Sequence, residues 1–161
     1  MNAQVNPMFN PSTFLNVQVS EANSTELILV PEGEYTAVSG PVSEDSFRDY
    51  DIKKGQRAGS KGYAIDLVWN INDEGGALAT YLGRTPTARQ SVMLDIRADG
   101  TLEFGKGRNV SLGRLREAVG QNQTGRNWSF GLLGGQVAKI KVKHRIDGDR
   151  TYVEVSEVNK A

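Results

Sequence analysis

Cysteine is absent from this chain of 161 residues, and histidine occurs once. Without thiols there is neither a disulfide framework nor a thiolate metal site. The lone imidazole, His144, falls on the inward side of a strand pattern, and no Ser-His-Asp arrangement can be argued from spacing. Asp147 and Asp149 flank a hairpin glycine, which is turn chemistry before it is metal chemistry. The residues therefore suggest no enzyme, no cofactor and no metal. No apolar run approaches the length needed to cross a bilayer, so no membrane partner is expected. Residues 1–14 lack the basic and apolar regions of a secretory signal. These absences together fit a reducing cytoplasm. Net charge is missing too, because 19 basic and 19 acidic residues cancel.

The charges that are present are segregated. Glu21 to Asp51 holds eight acids and one base, Arg48. Lys53, Lys54, Arg57 and Lys61 follow with no acid between them. Glu103 to Arg150 holds ten Lys and Arg residues against four acids. The most ordered feature is QVAKIKVKHR, residues 136–145. Here Lys139, Lys141, Lys143 and Arg145 alternate with Ala138, Ile140, Val142 and His144. A period of two marks a strand with one buried face. Cations two residues apart on such a strand stand roughly 7 Å from one another. That row suits a polyanion with linearly repeating charge. It equally suits an edge strand that lysines keep from pairing.

Residues 1–25 read as an arm, with a short helical turn near Ser12 to Asn16. Phe9, Phe14 and Leu15 are its candidates for pinning it to a domain spanning 26–161. Glu34 to Val38 reads as the first strand, and Gly40 to Gly62 as a long connection ending in the basic glycine-rich loop. Tyr63 to Asn72 is the clearest core strand, with Tyr63, Ile65, Leu67, Trp69 and Ile71 on one face. Ala77 to Gln90 is ambiguous between helix and breakers. Ser91 to Ala98 reads as a strand, and Asp99-Gly100 turns it back through Thr101 to Phe104. Ser111 is a candidate N-cap, and Gly120 closes the helix that follows. Lys106 and Arg108 precede that helix, where free backbone N–H groups favour anions. Arg126, Trp128 and Phe130 alternate in a glycine- and asparagine-rich segment. Arginine beside spaced aromatics suits base stacking with phosphate contact; the same rings could plug the end of a barrel. Thr151 to Val158 is the last strand.

The order is three strands, the third with an appended hairpin, then a short helix and two more strands. It predicts a mainly β protein, a five-stranded OB-fold-like Greek-key barrel with an extra hairpin and one short helix between strands 3 and 4. OB-folds bind oligonucleotides across strands 2 and 3 and through the loops joining strands 1–2 and 4–5. Lys53 to Lys61 would lie in the 1–2 loop, and Arg145 and Arg150 would flank the 4–5 loop.

Several phrases also carry a family likeness. They are FNPSTFLN (9–16), VPEGEYTAV (30–38), LGRLREAVG (112–120), GGQVAKIKVK (134–143) and the closing YVEV (152–155). In these the chain resembles the small single-stranded-DNA-binding OB-fold proteins of tailed bacteriophages. The resemblance implies sequence-tolerant coating of single strands during phage DNA replication or recombination, in the host cytoplasm, with phage replication or recombination proteins as further partners. Many single-strand binders end in an acidic recruiting tail; here the last residues are Asn159-Lys160-Ala161. The expected binding set is Lys53, Lys54, Arg57, Lys61, Lys106, Arg108, Arg126, Lys139, Lys141, Lys143, Arg145 and Arg150 for phosphates, with Trp128 and Phe130 for bases. A homo-oligomer is left open, as is a second reading: a β-rich, cysteine-free virion or assembly protein that binds no nucleic acid.

Overall fold

The computed structural model describes residues 8–161; the first seven residues of the expected arm lie outside the described residues. The strands are β1 (Gly33–Ser39), β2 (Phe47–Asp51), β3 (Lys61–Ile71), β4 (Thr87–Leu94), β5 (Val137–Asp147) and β6 (Arg150–Asn159). The helices are α1 (Pro11–Phe14), α2 (Ala77–Leu82) and α3 (Val110–Ala118).

Five strands close a ring in the order β1-β5-β6-β4-β3, which returns to β1 through the β1–β3 pairing. All pairs are antiparallel except β4 with β6, which meet in parallel at Arg89 and Glu154. With α3 between β4 and β5, this is the OB-fold connectivity expected from the order of elements. The alternation in β5 is realised: Ala138, Ile140 and Val142 are fully buried, and they share the core with Trp69, Ile65, Leu67 and Val92. The Trp69 indole N–H donates to Gln90 Oε1 at 2.9 Å, so burial leaves it satisfied.

Four local expectations are revised. The long 40–62 connection contains β2, which pairs with β3 from Phe47↔Ile65 to Asp51↔Lys61. Tyr63, expected in the core, sits at the barrel rim and is 43% exposed. The strand expected over 91–98 runs instead from Thr87 to Leu94, because Asp95 leaves the ladder to bond Asn109. Asp95 N donates to Asn109 Oδ1 at 2.7 Å, and Asn109 N returns a bond to Asp95 Oδ2 at 3.0 Å. The 95–103 hairpin persists as an irregular one, with a single bridge, Ile96 to Leu102. Asn109, at φ 51°, replaces Ser111 as the residue that starts α3. Gly120, at φ 72°, ends it as expected, with Gln121 N donating to Arg116 O and Gly120 N to Glu117 O.

The arm forms its turn one residue earlier than read. Asn10 caps α1 by accepting from Ser12 N at 3.0 Å. Phe9, Phe14 and Leu15 do not pin it. Residues 8–28 are exposed throughout, and the two phenylalanine rings pack on each other, edge to face, at 5.0 Å. The chain first enters the core at Val30, whose carbonyl accepts the His144 Nε2–H at 2.6 Å.

Candidate nucleic-acid interface

The lysine row of β5 lies on the outside of the barrel, but its neighbours come from two other strands. Residues directly opposite in an antiparallel pair share a face. Lys141 stands between Glu34 of β1 and Glu157 of β6. Lys143 stands opposite Glu154, and its charge also helps hold Glu32 below the usual carboxylate range, after the larger effect of the His144 N–H bond. Lys139 faces Thr36 and Asn159. The row uninterrupted along the sequence is thus interleaved with acids across the sheet.

A second concentration of cations occupies the outer face of β2, β3, β4 and β6, together with Arg145 near the C-terminal end of β5. Arg48, Arg89, Arg145 and Tyr152 line one groove of about 410 Å³, together with Ser91 and Met93. Beneath the first two lies Asp66 of β3, its side chain 14% exposed. Arg48 Nε donates to Asp66 Oδ2 at 2.8 Å, and Arg89 Nη2 to the same oxygen at 2.6 Å. Ser91 Oγ donates to Oδ1 at 2.5 Å. Burial alone would raise the Asp66 pKa; the bonds from Ser91, Arg89 and Arg48 outweigh it and hold the carboxyl below its ordinary value. One anion therefore fixes two guanidinium groups, and Arg48 Nη2 also donates to Ser91 Oγ at 3.4 Å.

Across the groove, Arg145 Nε donates to Glu154 Oε1 at 2.6 Å, and its guanidinium lies over the Tyr152 ring at 4.4 Å. Tyr50 covers Gly62, its partner across β2 and β3. A side chain at position 62 would collide with that ring, so glycine here is what lets Tyr50 lie flat on the sheet. Of the groove's three arginines and its tyrosine, sequence reasoning found only Arg145.

The remaining predicted residues distribute as follows. Lys53, Lys54 and Arg57 are exposed on the loop joining β2 and β3, which is closed by Ile52 N to Ser60 O at 2.9 Å. Lys61 is ion-paired with Asp51 at 2.8 Å. Arg150 opens β6, opposite Asp147. Arg108 reaches Asp95 at 3.7 Å, so the anion at the start of α3 is the protein's own carboxylate. Lys106 and Arg126 are exposed on loops.

Trp128 is not an open platform. It is half-buried against the core, its N–H donates to Gln121 Oε1 at 2.9 Å, and Arg116 covers its face at 4.1 Å. Phe130 packs edge-on against both Trp128 and Phe47. The rings close the barrel end beneath α3, and neither lines the arginine groove.

A cleft of about 570 Å³ between α3 and β6 sets Arg114 and Lys160 beside Glu117 and Glu157, so its charges cancel. Among the described residues, no helix is long and apolar enough to cross a membrane, and no group of three or more His, Asp or Glu side chains is placed to hold a metal ion. No protein-family model matches the chain, and no curated protein matches it.

Proposed function

We propose that this protein binds single-stranded DNA with little sequence preference, in phage DNA replication or recombination, on the outer face of β2, β3, β4 and β6 and the adjoining C-terminal end of β5. One observation carries the reading. Arg48, Arg89 and Arg145 converge with Tyr152 in one groove, on the sheet face that OB-folds use for oligonucleotides. Guanidinium groups held by Asp66 and Glu154 meet phosphates already oriented, so less freedom is lost on binding. Tyr152, under the Arg145 guanidinium, and Tyr50, lying on Gly62 beside Arg48, are the aromatic rings nearest the groove, and a base stacking on either contributes about 1–3 kcal/mol. Lys53, Lys54 and Arg57 extend the positive field along the 1–2 loop, and Arg150 adds a charge beside the 4–5 turn. Stacking on any base and contact with any phosphate read no sequence. No step of this reading involves a reaction.

The test is a fluorescence-anisotropy titration of a labelled mixed-sequence single strand, against a duplex of the same length. Tight binding of the single strand at low salt, falling steeply as salt rises, is the expected result. Absence of binding at low salt would return the chain to the reading as a β-rich assembly protein.

A further inference from the structure

The arm and one apolar groove are each incomplete within a single copy. The groove, about 480 Å³, lies between the β2–β3 hairpin and the 95–103 hairpin, and Phe47, Tyr63, Leu94, Ile96, Leu102 and Phe130 form its apolar lining. Phe47 and Tyr63 remain over 40% exposed there, 42% and 43% respectively. Exposed apolar surface of this kind on one side of a small barrel marks an interaction site. The arm supplies matching chemistry. Residues 1–20 contain no Asp, Glu, Lys, Arg or His. Phe9 and Phe14 stand exposed on a capped helical turn, with Leu15, Val17 and Val19 following. None of these side chains belongs to the core or packs against it.

The arm's root and the groove lie at opposite ends of the barrel. The root is fixed where Arg84 Nη2 donates to Ile28 O at 3.1 Å and His144 to Val30 O, beyond the C-terminal end of β3. The groove uses Tyr63 and Ala64, at the N-terminal end of the same strand. Eight residues of β3 separate Tyr63 from Ile71, roughly 26 Å at strand rise. A contact joining one end of a copy to the other end of the next is heterologous, and when it does not close it builds a filament.

We propose that the arm of one copy docks its Phe9–Phe14 pair into the Phe47–Leu102 groove of a second copy, joining copies head to tail. The proposal rests on the reading as a single-strand coat, because a linear array of copies fits a linear polymer. Its interface touches the arginine groove only at Arg48, and self-association is tested without DNA.

Sedimentation velocity on the full chain should show self-association that grows with concentration. The variant Phe9→Ser/Phe14→Ser should weaken it by roughly a hundredfold, and Phe47→Ser/Leu102→Ser by a similar factor. Mixing the two variants should give dimers and nothing larger, since one supplies an arm and the other a groove. A photoreactive phenylalanine analogue at position 14 should join two chains through peptides of the groove, which guards against a groove variant that fails to fold. A monomeric wild-type chain, assembly that survives loss of the arm rings, or crosslinks confined to one chain would each overturn the proposal. Binding of the arm variant to an oligonucleotide too short for two copies reads the arginine groove alone, so failure of either idea is visible separately.

Discussion

The lysines of β5, Lys139 to Lys143, and the groove formed by β2, β4, β6 and Arg145 at the end of β5 both carry cations, and they are built differently. On β5 the positive residues follow each other along one strand, and the acids arrive from the neighbours: Glu34 and Glu157 beside Lys141, Glu154 beside Lys143. In the groove the arginines come from three strands: Arg48 and Arg89 share a single, largely buried Asp66, while Arg145 is paired with Glu154 and Asp147. Neighbours along a strand are visible in a sequence, whereas neighbours across a sheet set the local field. A row of like charge in sequence can therefore be interleaved with acids in space, and a scattered set can be gathered in one groove.

The sharpest way to separate the two regions is charge reversal. Arg89→Glu/Arg145→Glu should lower affinity for single-stranded DNA at low salt by roughly a hundredfold or more, since each charge-assisted contact contributes about 1.5–3 kcal/mol. Anisotropy titration reads this directly. Trp128→Ala should cost about 2–3 kcal/mol of stability in a denaturant titration, less than a fully buried tryptophan, while leaving DNA affinity of the folded variant unchanged. An affinity loss without a stability loss would move the interface to the barrel end.

Asp66→Ala should destabilise the fold by about 1–3 kcal/mol at neutral pH, through unpaired guanidinium groups and a lost Ser91 bond. The sign with pH follows from the lowered Asp66 pKa. A carboxylate depressed in the folded state contributes its stability above the unfolded value, near 3.9, and loses it as pH falls through the folded value. Wild type and variant should thus converge in acid, as thermal melts across pH will show. The smallest effect is expected on β5: Lys139→Ala/Lys141→Ala should change affinity by less than about threefold, the range of exposed, screened pairs.

Much of the fold was legible. The alternation of Lys139 to Arg145 with Ala138 to His144 located β5 and its inward face, and Gly120 located the end of α3. The helix start was not, because capping propensity ranks Asn109 and Ser111 alike, and Asp95 of a different element recruits Asn109. β2 was hidden because FRDYD is short and charged; its pairing depends on Tyr50 resting over Gly62, a relation between separate segments. The same reason hid the groove. Arg48, Arg89 and Tyr152 lie in three distant stretches, each unremarkable in its own window. A signal did exist for Arg89 and Ser91, which alternate with Ala88 and the buried Val92 and so must face outward. The window around Trp128 leaves open both a base platform and a plug of the barrel end; the partners that place it as a plug, the core behind it and Arg116 of α3, lie outside that window.

The central claim is that phosphates are held by the arginine groove and not by the lysine row. The salt dependence of single-strand affinity measures this most directly, because its slope counts displaced counterions, about 0.7 per phosphate contact. The account predicts that Arg89→Ala/Arg145→Ala reduces the slope by about 1.4, two contacts' worth, while Lys139→Ala/Lys141→Ala leaves it unchanged. A slope that falls only when the lysines are removed would contradict it.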